Sequence, residues 1–255
     1  AGNKTVQANQ DSNSIGDFYY TPPSGFLALC TSNLPAVAVV PSEHFGVHTR
    51  TGTGTSTSVT GKPLAPDLVW TKVRNVAGTH VISDNVRGVN KQLFSNLTNA
   101  EGTATNKLTA FNSDGYTLGA DDGSGTGDSN YNGQTYVDWF WKANGSGSSN
   151  TDGTITSTVS ANVDAGFSIV SYTGNATNDA TIGHGLSKAP DLMIVKSRDG
   201  ADAGTHQWYV YEGTSASLYL ESTEPLHSDN RLKSAQATTF TVSQHAQCNA
   251  SGRSE

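Results

Sequence analysis

The sequence repeats itself at an interval of about 124 residues, and this repeat constrains the fold more than any other feature. The stretch Ala65–Arg74 returns as Ala189–Arg198, with the same Ala-Pro-Asp-Leu opening and the same Lys-x-Arg ending. Weaker matches continue on both sides, so that Tyr116–Leu118 corresponds to Phe240–Val242. The correspondence therefore has the length of a domain. We predict two tandem copies of one domain of roughly 100 to 120 residues each.

Short apolar segments bounded by Gly, Asn, Asp and Pro predict the fold class. Runs of four to seven residues rich in Val, Ile, Thr and aromatic residues are typical of an antiparallel β-sandwich or barrel. In the first repeat they are Ser56–Thr60, Leu68–Val73, His80–Ser83, Lys91–Ser95, Leu108–Phe111, Tyr116–Leu118 and Tyr136–Trp141. Both faces of the last segment are mostly apolar, so this strand is expected to be central or covered by a neighbouring module. The sequence thus predicts an all-β protein with two tandem antiparallel β-sandwich (jelly-roll-like) domains.

Composition shifts along the chain predict four parts. Gly, Ser, Thr and Asn dominate the stretch between the two repeats, which is the composition of a flexible linker. The parts are residues 1–43, the end of an upstream module and a connector; 44–143, the first repeat; 144–165, the linker; and 166–255, the second repeat.

The second repeat is predicted to lack its last strand. Its final residues Gly252–Ser254 correspond to Gly133–Thr135, which directly precede the strand Tyr136–Trp141 of the first repeat. A sheet without that strand would expose an unpaired edge, which natural proteins seldom leave open. Either the chain is truncated, or another chain supplies the strand by β-addition. Truncation is the preferred interpretation.

Charge and hydropathy exclude several classes of partner. Only 15% of the residues are charged and the net charge is -7, without a run of Lys or Arg, which argues against a nucleic-acid or anionic-membrane surface. No stretch approaches the run of about 18 apolar residues that a transmembrane helix needs. The cysteines Cys30 and Cys248 occupy non-equivalent places in the repeat. Packed thiols are therefore favoured over a disulfide, although both remain open.

The repeat brings back a few residues with catalytic ability, but not a catalytic pattern. His80 and His206 recur in Gly-Thr-His steps, without a Ser-His-Asp or Cys-His arrangement at a matching spacing. Asp67 and Asp191 follow Pro at the start of a predicted strand, where Asp commonly caps a turn through its own backbone. We expect hydrogen-bonded structural roles for all four residues, and the sequence predicts no catalytic residue.

Basic residues also recur along one strand of each repeat. Lys72 and Arg74, and their counterparts Lys196 and Arg198, alternate with apolar positions. This alternation predicts side chains on the outward face of a strand, paired with nearby carboxylates. Such exposed pairs contribute about 0 to 1 kcal/mol.

The acidic loop Gly119–Asn130 is the candidate for an ion. Calcium prefers several oxygen ligands on a flexible loop, and Asp121, Asp122 and Asp128 supply three carboxylates. The equivalent region of the second repeat, Gln244–Ser251, contains no Asp. A solvated hairpin loop is therefore the preferred interpretation, with calcium as the alternative and no other cofactor predicted.

Two parts of the chain resemble proteins of marine bacteriophages. The block Gly16–Pro35 resembles the closing segment of SPRY-like, concanavalin-like modules in predicted phage proteins. The repeat segments are similar to the domains that follow this module in the same proteins: Ala65–Arg74, Asn112–Tyr116, Phe167–Gly174 and Gly183–Leu186. The resemblance implies a large multi-module virion protein of the tail or tail-fibre type, without a characterised catalytic site.

These observations predict a tail-fibre or surface adhesion component of a phage virion that displays loops for binding. Its expected partners are other virion subunits, possible host surface glycans or proteins, and further copies of the same chain, but neither nucleic acid nor membrane. A capsid decoration or structural subunit is the first alternative. A polysaccharide-degrading tail enzyme is the second, and it requires carboxylates that converge in a groove.

Overall fold

The computed structural model describes residues 5–35, 38–123, 129–199, 206–214, 217–228 and 230–255. The chain forms two compact units, Ala1–Val40 and Pro41–Glu255. Strands make up 37% of the structure and helices 3%, which confirms the all-β class. Within these described ranges the helical part consists of two 3-10 turns, Thr31–Asn33 and Pro41–Glu43. None of the helices in the described ranges is both long and apolar enough to cross a membrane.

The N-terminal unit is organised around the carboxylate of Asp11. Its Oδ1 accepts hydrogen bonds from the backbone N–H groups of Asn13 and Ile15, and its Oδ2 accepts from the N–H of Ala28 and from Asn33 Nδ2, both at 2.7 Å. The bond from Ala28, together with the other three, lowers the pKa of Asp11 to about 2. One ionised side chain therefore ties together a segment that has few strands of its own.

The first repeat is a sandwich of two antiparallel sheets. Its larger sheet has the order β1-β9-β3-β4-β5-β6, and its smaller sheet has the order β2-β8-β7. The strands are β1 Phe45–Thr51, β2 Thr57–Val59, β3 Leu68–Val73, β4 His80–Asp84, β5 Lys91–Phe94, β6 Gly102–Thr103, β7 Leu108–Asn112, β8 Gly115–Leu118 and β9 Thr135–Trp141. The core between the sheets contains Val59, Leu64, Val69, Leu108, Tyr116, Leu118 and Phe140.

Strand β9 is central, as its sequence predicts. It pairs with β1 on one edge and with β3 on the other. Tyr136, Asp138 and Phe140 point into the sandwich and are at most 1% exposed. Trp139 and Trp141 lie on the opposite face, where Trp139 packs edge-to-face against Trp70. Both faces of β9 are therefore covered.

The second repeat has the same architecture, but its described residues form seven strands where the first repeat has nine, without counterparts of β6 and β9. Its strands are β12 Phe167–Tyr172, β13 Ala180–Gly183, β14 Met193–Lys196, β15 Trp208–Tyr211, β16 Leu218–Tyr219, β17 Leu232–Ala235 and β18 Thr239–Val242. The order β13-β18-β17 matches β2-β8-β7, and β14-β15-β16 matches β3-β4-β5. In the described residues no strand lies between β12 and β14 in the place that β9 takes between β1 and β3. The prediction that the second sandwich lacks its last strand is confirmed.

The segment 144–165 is not the flexible linker that its composition predicts. It contains β10, Ser148–Asn150, and β11, Ser157–Asn162, which form a three-stranded sheet with β12. Ser160 is fully buried, and its Oγ accepts a hydrogen bond from the N–H of Asn144 at 2.7 Å. Polar side chains can form strands when their hydrogen bonds are satisfied inside the fold, so the low apolar content of this segment was misleading.

The two repeats pack directly on each other within the unit Pro41–Glu255. Trp208 of the second repeat is 4% exposed and lies in an apolar cluster with Ile82 and Leu93 of the first. Its indole N–H donates to the carbonyl oxygens of Phe94 at 2.9 Å and Leu97 at 3.1 Å. The repeats therefore form one body.

Candidate functional site

A cavity of about 870 Å³ lies between β12 and β14. It is lined along the whole of both strands, by residues 167–172 on one side and 192–196 on the other. Strand β12 pairs with β11 on its far edge, and β14 pairs with β15 on its far edge. The cavity is therefore a slot bordered by two strand edges, which present backbone N–H and C=O groups.

Hydrogen bonds at one end of the slot repeat those of the first sandwich. Thr173 is bridged to Ser254 as Thr51 is bridged to Thr135. On the opposite edge, the N–H of Arg198 donates to Ser254 O at 2.9 Å, as the N–H of Arg74 donates to Thr135 O at 2.7 Å. Ser254 thus occupies the first position of a β9-type strand, between the two edges.

The turn that leads into this position is also reproduced. The N–H of Gly174 donates to Arg253 O at 2.8 Å, as that of Gly52 donates to Gln134 O at 2.8 Å. A Cβ at Gly52 would lie 2.2 Å from Tyr131 O, and one at Gly174 would lie 2.4 Å from Ala250 O. These distances are shorter than a real Cβ contact can be, which explains why both repeats carry Gly here.

A pair of buried asparagines, which the sequence analysis did not identify, holds this turn in each repeat. Asn130 Nδ2 donates to Thr55 O at 2.7 Å, and Asn249 Nδ2 donates to Thr177 O at 2.7 Å. Their Oδ1 atoms accept from the N–H groups of Thr53 and Asn175. Both asparagines are at most 3% exposed. Each asparagine lies three residues before a glycine, Gly133 or Gly252. This shared spacing could have identified the pair from the sequence.

The slot is apolar on both of its open sides. Toward the second sandwich it meets Val170, Val195 and Phe240, which belong to or pack against that core. Toward the first repeat it meets Trp70, Leu93 and Trp208. Leu192, directly before β14, is 60% exposed, and Ile194 on β14 is 40% exposed, although their counterparts Leu68 and Trp70 are half-buried. The slot leaves large apolar side chains uncovered.

Two ionisable side chains, Lys196 and Glu255, lie at the end of the slot near Ser254. Lys196 is buried, and its Nζ donates to Thr98 O at 3.2 Å and to His206 O. Burial lowers the pKa of Lys196 to about 8, although Glu221 and Glu255 oppose this shift. Burial raises the pKa of Glu255 to about 8, with a further contribution from Asp199. This end of the slot is therefore polar, whereas its length is apolar.

An ion cluster joins the two repeats next to the slot. Glu101 Oε2 lies 2.9 Å from Arg198 Nε and 3.2 Å from Arg87 Nη1, and Arg87 Nε lies 2.5 Å from Asp84 Oδ2. Burial alone would raise the pKa of Glu101, but Arg198 and Arg87 outweigh it and hold that pKa below its ordinary value. The expectation of exposed basic side chains is wrong for Lys196 and Arg198, because Thr98 and Glu101 of the first repeat contact the chain at these two residues.

The inner face of the first sandwich carries a buried carboxylate, and the second sandwich has different residues in place of the side chains that donate to it. Asp138 is fully buried and accepts hydrogen bonds from Arg50 Nε at 2.6 Å, Thr71 Oγ1 at 2.7 Å and Tyr116 OH at 2.6 Å. Burial and the nearby Asp138 carboxylate raise the pKa of Tyr116 above its ordinary value.

The strand pairing gives the counterparts of these three donors in the second sandwich. Tyr172 corresponds to Arg50, Val195 to Thr71 and Phe240 to Tyr116. All three are buried. The position that corresponds to Asp138 therefore faces apolar or bulky groups in the second sandwich, and a carboxylate there would have no guanidinium partner.

The strand pairing corrects the match of the two histidines. Lys72 is the partner of His80, whereas Lys196 is the partner of Trp208. The counterpart of His80 is thus Trp208, because the connection between β14 and β15 is longer. The N–H of His80 donates to Asn96 Oδ1 at 2.8 Å, and burial followed by the charge of Lys72 lowers the pKa of its imidazole. His206 is buried.

Asp67 and Asp191, which the sequence matches, have different surroundings. Asp67 is buried and accepts from the N–H of Ala143 at 2.8 Å and from Asn85 Nδ2 at 3.0 Å, whereas Asp191 is exposed. Asp67 has the predicted structural role, but it ties β3 to the end of β9 instead of capping its own turn.

In the described part of the acidic loop, the carboxylates of Asp121 and Asp122 contact other groups of the protein. Asp122 Oδ1 lies 3.0 Å from Lys107 Nζ, and Asp121 Oδ1 accepts from the N–H of Gly123 at 2.9 Å. Asp128 lies outside the described residues. Within those residues, no group of three or more His, Cys, Asp or Glu side chains is placed to hold a metal ion. The calcium alternative stays a prediction.

Cys248 is packed in the core of the second sandwich. Its Sγ contacts Arg231 O at 3.7 Å and Ser243 O at 3.8 Å, which is the environment of a buried thiol. Cys30 is half-buried in the N-terminal unit.

Comparison with known proteins places the chain in one family. The profile of a domain of unknown function, DUF7483, matches residues 40–254. The chain belongs to the DUF7483 family. The matched range coincides with the compact unit Pro41–Glu255, so both sandwiches together make up one DUF7483 domain. No curated protein and no solved structure matches the chain.

Proposed function

We propose that this DUF7483 protein is a structural component of a bacteriophage virion, most simply a tail-fibre or surface adhesion component. The observation that carries the proposal is the union of two β-sandwiches into one body through Trp208 and the Glu101 cluster. A module of this kind holds its surface loops in a fixed arrangement, and loops on a rigid scaffold are where binding specificity collects. The resemblance of Gly16–Pro35 to phage modules gives independent support.

The work of such a component is mechanical and recognitional. The domain would transmit load between neighbouring virion subunits and present its loops to a host glycan or protein. The alternative is capsid decoration, in which the same domain would bind a partner on the shell in place of a host receptor.

Immunogold electron microscopy of purified virions tests the proposal directly. An antibody raised against the unit Pro41–Glu255 is expected to label tails or fibres. Label spread over the capsid would replace the adhesion role with the decoration role. Virions that carry no label, in a preparation where a known tail protein is labelled, would rule out the virion assignment.

A further inference from the structure

The slot between β12 and β14 has the width of one β-strand. Ser254 contacts Thr173 on one side and the N–H of Arg198 on the other. Adjacent strands lie about 4.8 Å apart, so a residue bonded to both edges fixes their separation at two strand spacings. The N–H of Glu255 donates to Tyr172 O at 2.9 Å and continues the ladder along β12.

The first sandwich supplies the register for the rest of the slot. There, Val137–Trp141 pairs residue by residue with β1 and with β3. Since Glu255 corresponds to Tyr136, the next five positions face Phe167–Ser171 on β12 and Leu192–Lys196 on β14. Both edges run antiparallel to the direction in which Ser254 and Glu255 enter.

The lining defines the side chains that fit. Alternate positions face Val170, Val195 and Phe240 inside the second sandwich, and the others face the apolar surface around Trp70 and Trp208. A strand that covers these surfaces stabilises the fold by about 25 cal/mol for each Å² of apolar area that it removes from water. The second position lacks the guanidinium that neutralises Asp138 in the first sandwich, so an apolar residue fits and a carboxylate does not.

We propose that this slot is an acceptor site for one extended β-strand, joined to Glu255 and apolar on both faces. The strand pairs with β12 and β14 at once and closes the second sandwich as β9 closes the first. Ser254 and Glu255 set its direction and register, which favours a strand in the same polypeptide over one from another chain. This proposal is independent of the virion role.

The test extends the 255-residue chain by five residues after Glu255. One variant carries Val-Leu-Trp-Phe-Trp, which is the sequence of Val137–Trp141 with Leu in place of Asp138. A second carries the unchanged Val-Asp-Trp-Phe-Trp, and a third carries Ser-Gly-Ser-Gly-Ser as the matched polar control. The measurements are Tm and hydrogen exchange of the β12 and β14 amides.

The Leu extension is expected to raise Tm by several degrees and to slow exchange in 167–171 and 192–196. The Asp extension should give a smaller shift, and the polar extension none. Substitution Ile194→Asp places a charge on the exposed lining, so it should change the unextended protein little and abolish the gain. Equal Tm and exchange for the Leu and polar extensions, or a gain that survives Ile194→Asp, would overturn the proposal.

A free peptide with the same Leu-containing sequence separates the two sources of the strand. At micromolar concentration it is expected to leave Tm and exchange unchanged, because it lacks the register set by Ser254 and Glu255 and loses the advantage of a covalent link. Protection of β12 and β14 by the free peptide, with none from the extension, would overturn the assignment to the same polypeptide.

Discussion

The buried carboxylate of Asp138 accepts hydrogen bonds from the side chains of Arg50, Thr71 and Tyr116. Replacing it with Asn keeps its shape but removes the charge that neutralises Arg50, whose side chain is only 8% exposed. Leaving a buried charge without its partner costs about 3–5 kcal/mol. We expect Asp138→Asn to lower the free energy of unfolding by about that amount, as measured by urea denaturation.

The second sandwich suggests the control for this variant, since it has buried Tyr172, Val195 and Phe240 in place of the three donors to Asp138. The double change Arg50→Met with Asp138→Leu removes both charges and should recover part of the lost stability. Glu224→Gln, at an exposed position, should have almost no effect. An Asp138→Asn protein as stable as the unchanged protein would contradict the assigned role.

Glu101 gives the stability of the domain a defined pH dependence. Its pKa in the folded protein lies below the ordinary value of 4.5 because Arg198 and Arg87 outweigh the effect of burial. The folded state therefore binds fewer protons than the unfolded state, so this carboxylate stabilises the fold above pH 4.5. That stabilisation is lost as the pH falls through the lowered pKa.

The variant Glu101→Gln lacks this contribution at every pH. We expect the unchanged protein to have the higher Tm at pH 7, and the difference in Tm to narrow as the pH falls below 4.5. Thermal unfolding of both proteins between pH 3 and 7 measures it, with Glu224→Gln as the matched exposed control. A difference that stays constant over this range would show that the ion cluster does not provide the stabilisation.

At the level of elements, β11 is the strand whose order is least evident from its composition. It pairs with β10 and β12, and Ser157 Oγ donates to Gly183 O at 2.9 Å. We expect the amides of Ser157–Asn162 to exchange about as slowly as those of β12, and far more slowly than those of the turn 163–166. Hydrogen exchange with mass spectrometry measures this, and exchange as fast as in the turn would restore the linker interpretation.

The strands that the sequence predicts and those that it misses differ in what buries them. Strand β3 alternates in burial along its length, and four of its six side chains are apolar, which marks it as a strand in the sequence. In β11 only Val159 is large and apolar, and the buried Ser157 and Ser160 are held by distant hydrogen bonds. Such bonds depend on partners far along the chain, which local composition does not encode.

The position of the slot could be predicted from the sequence repeat, but the residues that pack beside it could not. The match of Gly252–Ser254 to Gly133–Thr135 located the missing strand, since the turn before it takes a positive φ at Gly133 and at Gly252, which favours glycine in both repeats. The role of Trp208 was not predictable, because matching letters aligned His206 with His80. Only the pairing of Lys196 with Trp208 reveals that the longer connection shifts the register.

At the scale of the whole domain, the two sandwiches are expected to depend on one another for stability. The first sandwich covers Trp208, and Trp141 stacks on Phe167 of the second with ring centroids 5.9 Å apart. These contacts predict that the domain unfolds in a single cooperative step, although repeat proteins can lose that cooperativity when an interface weakens. The unfolding curves from tryptophan fluorescence and far-UV circular dichroism should therefore coincide.

The variant Trp208→Ala tests this dependence, because it removes the side chain that joins the repeats. Loss of a buried Trp costs about 3–5 kcal/mol, and the carbonyl groups of Phe94 and Leu97 lose their indole donor as well. The three tryptophans that remain, Trp70, Trp139 and Trp141, all belong to the first repeat, so all tryptophan fluorescence then comes from first-repeat residues, whereas circular dichroism reports both repeats.

We expect the two curves of Trp208→Ala to separate, with the second sandwich unfolding first because its slot leaves apolar surface uncovered. The control Leu226→Ala changes a side chain that is 54% exposed and should keep the curves coincident, with a change in stability within about 0.5 kcal/mol. If Trp208→Ala still unfolds in one step at the original midpoint, the contacts of Trp208 are not what couples the stability of the two sandwiches.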